Sequence, residues 1–262
     1  MLIDRTKIKF WLDDVCSDDL GIVVQGFPTF SAAEPRATLY SIPGRNGDLC
    51  VWDGSYKNIS AEIKCYVANT IAVETALAAA NGWLNYGAYK KFVISSELGR
   101  YRLARVTNAA EIAIRMGVLA PFSVKLNCKP QRFYDDDTPR VFGNSGTITN
   151  PTVFDAKPLL RCHWASGAQK GGNEFLTITN AKGTCRIGLG LLAQVPIPDY
   201  IDVDLDSLSA VTSNGYNVPL SFEGGHPVFC PGDTEFASSN SLAGSNMEWF
   251  DQIDVYPRWW TL

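Results

Sequence analysis

Three carboxylates alternate in Tyr200-Ile-Asp-Val-Asp-Leu-Asp206, so a strand here would carry Asp202, Asp204 and Asp206 on one face. Calcium takes its ligands from oxygen-rich surfaces of that kind. The spacing is not that of an EF-hand loop, because Ser207 stands where the turn glycine is needed and Ser213 where the bidentate glutamate is needed. A solvated strand face is the plainer reading. Of the two histidines, His163 adjoins Cys162 and His226 lies four residues before Cys230. Neither spacing is that of a zinc ligand pair, so structural roles are expected for both. Gly188-Leu-Gly190-Leu-Leu-Ala193 matches the loose Gly-x-Gly-x-x-Ala dinucleotide pattern, which must open a helix at once. Val195-Pro196-Ile197-Pro198 follows instead and forbids one. The chain contains no Gly-x-x-x-x-Gly-Lys-Ser/Thr phosphate loop and no Gly-x-Ser-x-Gly nucleophile elbow. No spacing of Asp or Glu singles out a glycosidase pair. The expectation is a protein that is not an enzyme and uses neither cofactor nor metal.

Trp164, Trp249, Trp259 and Trp260 all fall in the second half. Exposed tryptophans stack on sugar rings, so these four are candidates for contact with a glycan or a partner. Aromatic residues are also the usual core and interface residues of β-sandwiches, and core or subunit contact is the plainer reading. The terminal Trp259-Trp260 pair is expected to pack on a domain or a neighbour.

The elements that must carry these residues are read from periodicity and turns. Gly 22 and Pro 14, with many Thr, Val and aromatic residues, favour short strands over long helices. In Ile59–Val67 the alternation of Ala61, Ile63, Cys65 and Val67 against Ser60, Glu62, Lys64 and Tyr66 predicts a half-buried strand. One helix is predicted at about 70–86, where Val73, Leu77, Ala80 and Leu84 share a face. Asn69 or Thr70 can cap it, and Gly82 or Gly87 can stop it. From Val141 onward helical periodicity is absent. Short apolar runs recur between turn signals, the pattern of a β-sandwich or jelly roll.

Charge divides the chain. Residues 1–140 hold 17 Lys/Arg against 15 Asp/Glu, and residues 141–262 hold 6 against 12. With the Pro-bounded stretch Asp135-Asp136-Asp137-Thr138-Pro139, this predicts domains at 1–139 and 140–262. The net charge of −4 excludes a general nucleic-acid binder with a basic face. Seven cysteines without a Cys-x-x-Cys read as buried thiols in a reducing compartment. No apolar run approaches a membrane span.

The densest turn signals lie in Ser41-Ile-Pro-Gly-Arg-Asn-Gly-Asp-Leu49. Pro43-Gly44 suits a type II turn, and Asn46-Gly47 is the usual pair for a tight hairpin. Asp53-Gly54 is a second turn signal. Arg45, between two turn glycines, either bridges to a carboxylate of a neighbouring subunit or is a solvated loop arginine.

This phrase, with Trp52-Asp-Gly-Ser-Tyr-Lys-Asn58 after it, resembles the signature of phage distal tail proteins. The order of later parts fits as well: a helix, Gly99-Arg-Tyr-Arg102, Ile148-Thr-Asn-Pro151 with Lys157-Pro-Leu-Leu160, Tyr200–Asp206, Val228-Phe-Cys-Pro231, and Val255-Tyr-Pro-Arg258-Trp-Trp. Asn46 stands where Asp is more usual, an exchange that a tight turn accepts. The resemblance implies a mainly-β, two-domain protein. Its N-terminal β domain with one helix would form a homo-hexameric ring continuing the tail tube. Its C-terminal domain would be a galectin-like β-sandwich outside that ring. Pro43, Gly44, Arg45, Asn46, Gly47 and Asp48 become candidate interface residues. The implied partners are the tail tube protein, a tail-tip hub or tail-associated lysin protein, and receptor-binding or fibre proteins. DNA would pass only as cargo, and no membrane is involved. The expected location is the virion tail tip, after assembly in the host cytoplasm. A carbohydrate-binding module that contacts a host glycan is the alternative.

Overall fold

The computed structural model describes residues 8–67, 73–85, 87–108, 120–165, 174–190, 198–240 and 250–262. The described chain is mainly β and divides into two compact units, Met1–Asp135 and Asp136–Thr261.

The first unit holds β1 (Phe10–Leu12), β2 (Val15–Cys16), β3 (Ile22–Val24), β4 (Thr29–Phe30), β5 (Pro35–Tyr40), β6 (Leu49–Tyr56), β7 (Ile59–Val67), α1 (Val73–Leu84), β8 (Lys90–Ile94), β9 (Arg100–Val106), β10 (Ala120–Cys128) and β11 (Arg132–Tyr134). An antiparallel sheet runs β2-β1-β8-β9-β10-β7-β3, with β4 also on β7 and β11 on β9. The predicted alternation in β7 is present: Ile59, Ala61, Ile63, Cys65 and Val67 are buried. They meet Phe122, Val124 and Leu126 of the neighbouring strand in one core. The helix covers this core. Ala80 and Leu84 are buried, and Trp83 stacks on Phe10 at 5.3 Å. Gly82 lies inside α1 rather than stopping it, because Asn85 N–H still bonds back to Asn81 C=O. The expected caps at Asn69 and Thr70 lie outside the described residues.

The second unit holds β12 (Arg140–Phe142), β13 (Ser145–Asn150), β14 (Leu159–Trp164), β15 (Glu174–Asn180), β16 (Gly183–Leu189), β17 (Tyr200–Asp204), β18 (Ser209–Thr212), β19 (Asn217–Val218), β20 (Leu220–Gly224), β21 (Gly232–Asn240) and β22 (Phe250–Tyr256). They form a six-stranded sheet, β12-β22-β14-β17-β18-β19, and a five-stranded sheet, β13-β21-β15-β16-β20. β14, β15 and β17 bury alternate residues, as a two-layer β structure requires. Phe142 of the first sheet meets Phe236 of the second edge-on at 5.0 Å.

A buried asparagine organises one end of this unit. Asn150, only 3% exposed, donates to the carbonyls of Phe154 and Phe229 at 2.9 Å each. Its Oδ1 accepts from Thr152 N–H at 2.9 Å and from Thr152 Oγ1 at 2.8 Å. Trp260 stacks on Phe154 at 4.3 Å and donates its indole N–H to Asp155 C=O, which ties the chain's end to the same loop.

Candidate assembly interface

The structure gives the carboxylate triplet and His163 structural neighbours. Asp202 takes a two-pronged bond from Arg161 at 2.7 and 2.9 Å, and Asp204 one from Arg258 at 2.8 and 3.1 Å. Lys157 reaches Asp206 at 3.1 Å. Each carboxylate of the alternating triplet is thus neutralised by its own cation, and the three form an ion-pair ladder across the sheet. Among the described residues no cluster of His, Cys, Asp or Glu is placed to hold a metal. His163 bonds Asp254 at 2.8 Å on the outer face of β14, while the adjacent Cys162 points into the core. Gly188 lies within β16 and Gly190 directly follows it; residues 191–197, where the pattern needs its helix, lie outside the described residues. Trp164 is edge-on to Phe250 at 5.6 Å, and Trp259 is 8% exposed beside Phe229. Trp249 lies outside the described residues.

The ladder sets an acid limit on the second unit. Partial burial of Asp204 opposes its ionisation. The Arg258 bond and the backbone N–H groups of Asp206 and Ser207 outweigh that, so its pKa falls below the ordinary 3.8. A lowered folded-state pKa means the contribution is present above the unfolded value and lost as pH falls through the folded one. Urea midpoints of the second unit are therefore expected to drop on acidification below about pH 4, with a shallower drop in Asp204→Asn.

Among the described residues the β5–β6 hairpin is a two-stranded sheet of its own, hydrogen-bonded to no other described strand. Every residue of both strands is exposed except Tyr56, which is half-buried. An isolated hairpin of this kind is marginal in water. Directly opposed residues share a face, so the register defines two faces. One carries Ala37, Leu39, Cys50 and Trp52, and the other Thr38, Tyr40, Leu49 and Val51. Both faces are therefore largely apolar; Leu39 is 64% exposed and Trp52 49%. A strand pair at the edge of a monomer usually carries charge to prevent association, and these eight positions carry none.

Local hydrogen bonds hold this hairpin in shape. Ile42 C=O accepts from Arg45 N–H at 3.1 Å, with Pro43 and Gly44 (φ 81°) between, which is the expected type II turn. Asn46 lacks the positive φ that a two-residue type I′ turn requires, so the connection is a loop from Ser41 to Asp48 in which Gly47 alone (φ 80°) completes the reversal. Asp53-Gly54 does not end β6. The strand continues to Tyr56 through a bulge opposite Pro35–Ala37, with Gly54 at φ 84°. Asp53 accepts from Ser55 Oγ at 2.6 Å and Ser55 N–H at 2.8 Å, which holds its carboxyl below the usual range. Trp52 donates its indole N–H to Ser55 C=O at 2.8 Å and meets Tyr56 edge-on at 5.6 Å. The exposed tryptophan is thus fixed in position before any partner arrives. Pro43, Gly44, Arg45, Asn46, Gly47 and Asp48 form the exposed tip. Sequence reading reaches that tip and strands at Leu39–Ile42 and Leu49–Trp52; it does not show that both faces of the strand pair are exposed.

The fold is similar to that of a solved phage protein. The chain is similar over 97% of its length, and 99% of the other chain, to the SPP1 Dit (gp 19.1) protein, with a TM-score of 0.66 at 14% identity. That protein is described as a paradigm of the hub adsorption apparatus in phages that infect Gram-positive hosts. No protein-family model matches the sequence, and no curated protein matches it.

Proposed function

We propose that this chain is a structural hub of a long-tailed phage tail tip. Copies of the first unit close a homo-hexameric ring, and the β5–β6 hairpin of each copy docks on the next. The observation that carries this reading is the hairpin itself: apolar on both faces, exposed, and unpaired at both edges among the described residues. A cyclic ring uses a head-to-tail contact, in which one projecting element meets a different patch on the neighbour. The second unit is the outward galectin-like domain. The ring joins the tail tube to tip, lysin and fibre proteins and leaves a lumen for DNA. The role is passive and needs no catalytic site. Among the described residues no helix is long and apolar enough to cross a membrane.

The test is the solution mass of the purified chain across a concentration series, by light scattering after size exclusion. A hexamer, or two stacked hexamers, is the expected species; a chain that stays a folded monomer at every concentration overturns the reading. Cys50 gives an independent readout, because it is the exposed cysteine and the other six are buried. Burial pushes the Cys65 thiol up to about 12 and the Cys128 thiol up to about 11, so both are inert at neutral pH. Maleimide is expected to label Cys50 rapidly in dilute protein and slowly once the ring forms. Equal rates at both ends of the series would place Cys50 outside the contact.

A further inference from the structure

The sequence contains three Asn-Gly pairs, Asn46-Gly47, Asn81-Gly82 and Asn214-Gly215. In such a pair the glycine nitrogen has no side chain beside it to screen it, so it can approach the preceding asparagine side chain and attack its amide carbon. The attack needs two groups to be uncommitted, the glycine N–H and the asparagine amide.

The fold treats the three pairs differently. Gly82 lies inside α1, so its N–H belongs to the helical ladder. Gly215 donates its N–H to Thr212 C=O at 2.8 Å, and the next residue, Tyr216, donates to Thr212 Oγ1 at 3.0 Å, so that turn is pinned. Gly47 N–H donates no hydrogen bond among the described residues, and the Asn46 side chain makes none. Both residues are exposed at the hairpin tip. The last backbone bond before them is Arg45 N–H to Ile42 C=O.

We propose that Asn46 is a self-modification site, converted to isoaspartate or aspartate by its own neighbour and water. In the first step the Gly47 nitrogen bonds to Asn46 Cγ and the Cγ–Nδ2 bond breaks. The amide proton of Gly47 leaves with Nδ2 as ammonia, and a five-membered succinimide remains. In the second step water adds to one of its two carbonyl carbons. Breaking the bond from Gly47 nitrogen to the main-chain carbon gives isoaspartate; breaking the bond to Cγ gives aspartate. Nothing is oxidised or reduced. Either product sets a new carboxylate between Arg45 and Asp48. Isoaspartate also lengthens the main chain by one carbon, in a reversal that Gly47 completes at φ 80°. The tip thus carries a chemical clock, a neutral amide in a new chain and a carboxylate in an aged one. The inference uses the geometry of the loop alone and stands apart from the ring.

Ageing the full chain in mildly alkaline buffer and mapping its peptides by mass spectrometry tests this, with isoaspartyl methyltransferase labelling to tell the two products apart. Isoaspartate at Asn46 is expected first, and faster as pH rises, because the attacking nitrogen must lose its proton. Asn81 and Asn214 are expected to lag about tenfold, since a hydrogen bond must break before the attack. In denaturant the three pairs are expected to react alike. A dilute Leu39→Asp, Trp52→Asp chain is aged in parallel, so that a covered tip is not read as an unreactive one. Three results would overturn the proposal: Asn46 intact in that variant while the unfolded chain reacts, Asn81 or Asn214 converting as fast as Asn46 in the folded chain, or aspartate without isoaspartate, which marks direct hydrolysis of the side chain.

Discussion

A chain carrying Leu39→Asp and Trp52→Asp is expected to run as a folded monomer where the unsubstituted chain runs as a hexamer. Both residues lie on one face of the hairpin and are largely solvent-exposed in the single chain. They support no core, so their loss leaves the melting temperature within about 2 °C, as surface changes do. In the proposed ring each would be buried. Covering a large apolar side chain contributes about 1.5–3 kcal/mol, so removing two costs about 4 kcal/mol per contact, or roughly a thousandfold in affinity. A buried aspartate without a partner adds to that cost. Light scattering gives the mass, and circular dichroism confirms the fold. The other face supplies a second arm. Leu49→Asp with Val51→Asp is expected to break the ring equally, because both faces are apolar and both need cover. If either double variant keeps the full hexamer mass at micromolar concentration, that face is not part of the contact.

Asn150→Ala is expected to destabilise the second unit by about 1–3 kcal/mol. The side chain makes four hydrogen bonds while 3% exposed. Its removal leaves Thr152 N–H without its acceptor, while the Phe229 carbonyl keeps Ala156 N–H at 3.0 Å and the Phe154 carbonyl keeps Thr152 Oγ1 at 3.1 Å; a buried unsatisfied group costs about 1–3 kcal/mol. Replacement by Asp keeps the shape and the acceptor but loses both donors, so it is expected to recover only part of the loss. Calorimetry separates the effect from the first unit, whose transition is expected to stay in place. A shift of the second transition by under about 3 °C would show that the loop is held by Phe154–Trp260 stacking instead. The ring is expected to survive this substitution, because Asn150 lies in the unit that carries no hairpin.

What the sequence determined alone was local. Alternation in Ile59–Val67 fixed which side of β7 is buried, since side chains on a strand alternate whatever it pairs with. The 3.6-residue stripe through Ala80 and Leu84 placed the helix on a core. Pro43-Gly44 set a type II turn, because its dihedral needs are met within four residues. The exclusion of a nucleotide loop at Gly188 also followed from neighbours in sequence, as two prolines forbid the helix. The tertiary structure decided whatever depends on partners distant in the chain. The triplet at Asp202, Asp204 and Asp206 became an ion-pair ladder only because β14 and the chain end bring Arg161, Arg258 and Lys157 to it. Asn150 became a clasp only when Phe229, 79 residues away, closed on it. Asp53-Gly54 reads as a turn until the bulge opposite Pro35 shows that a positive φ also serves inside a strand. Leu49-Cys-Val-Trp52 reads as a strand, but its sequence does not say whether it is covered, since burial is a property of what packs against a segment. Only the assembled fold leaves that strand uncovered, and this exposure is what points to assembly.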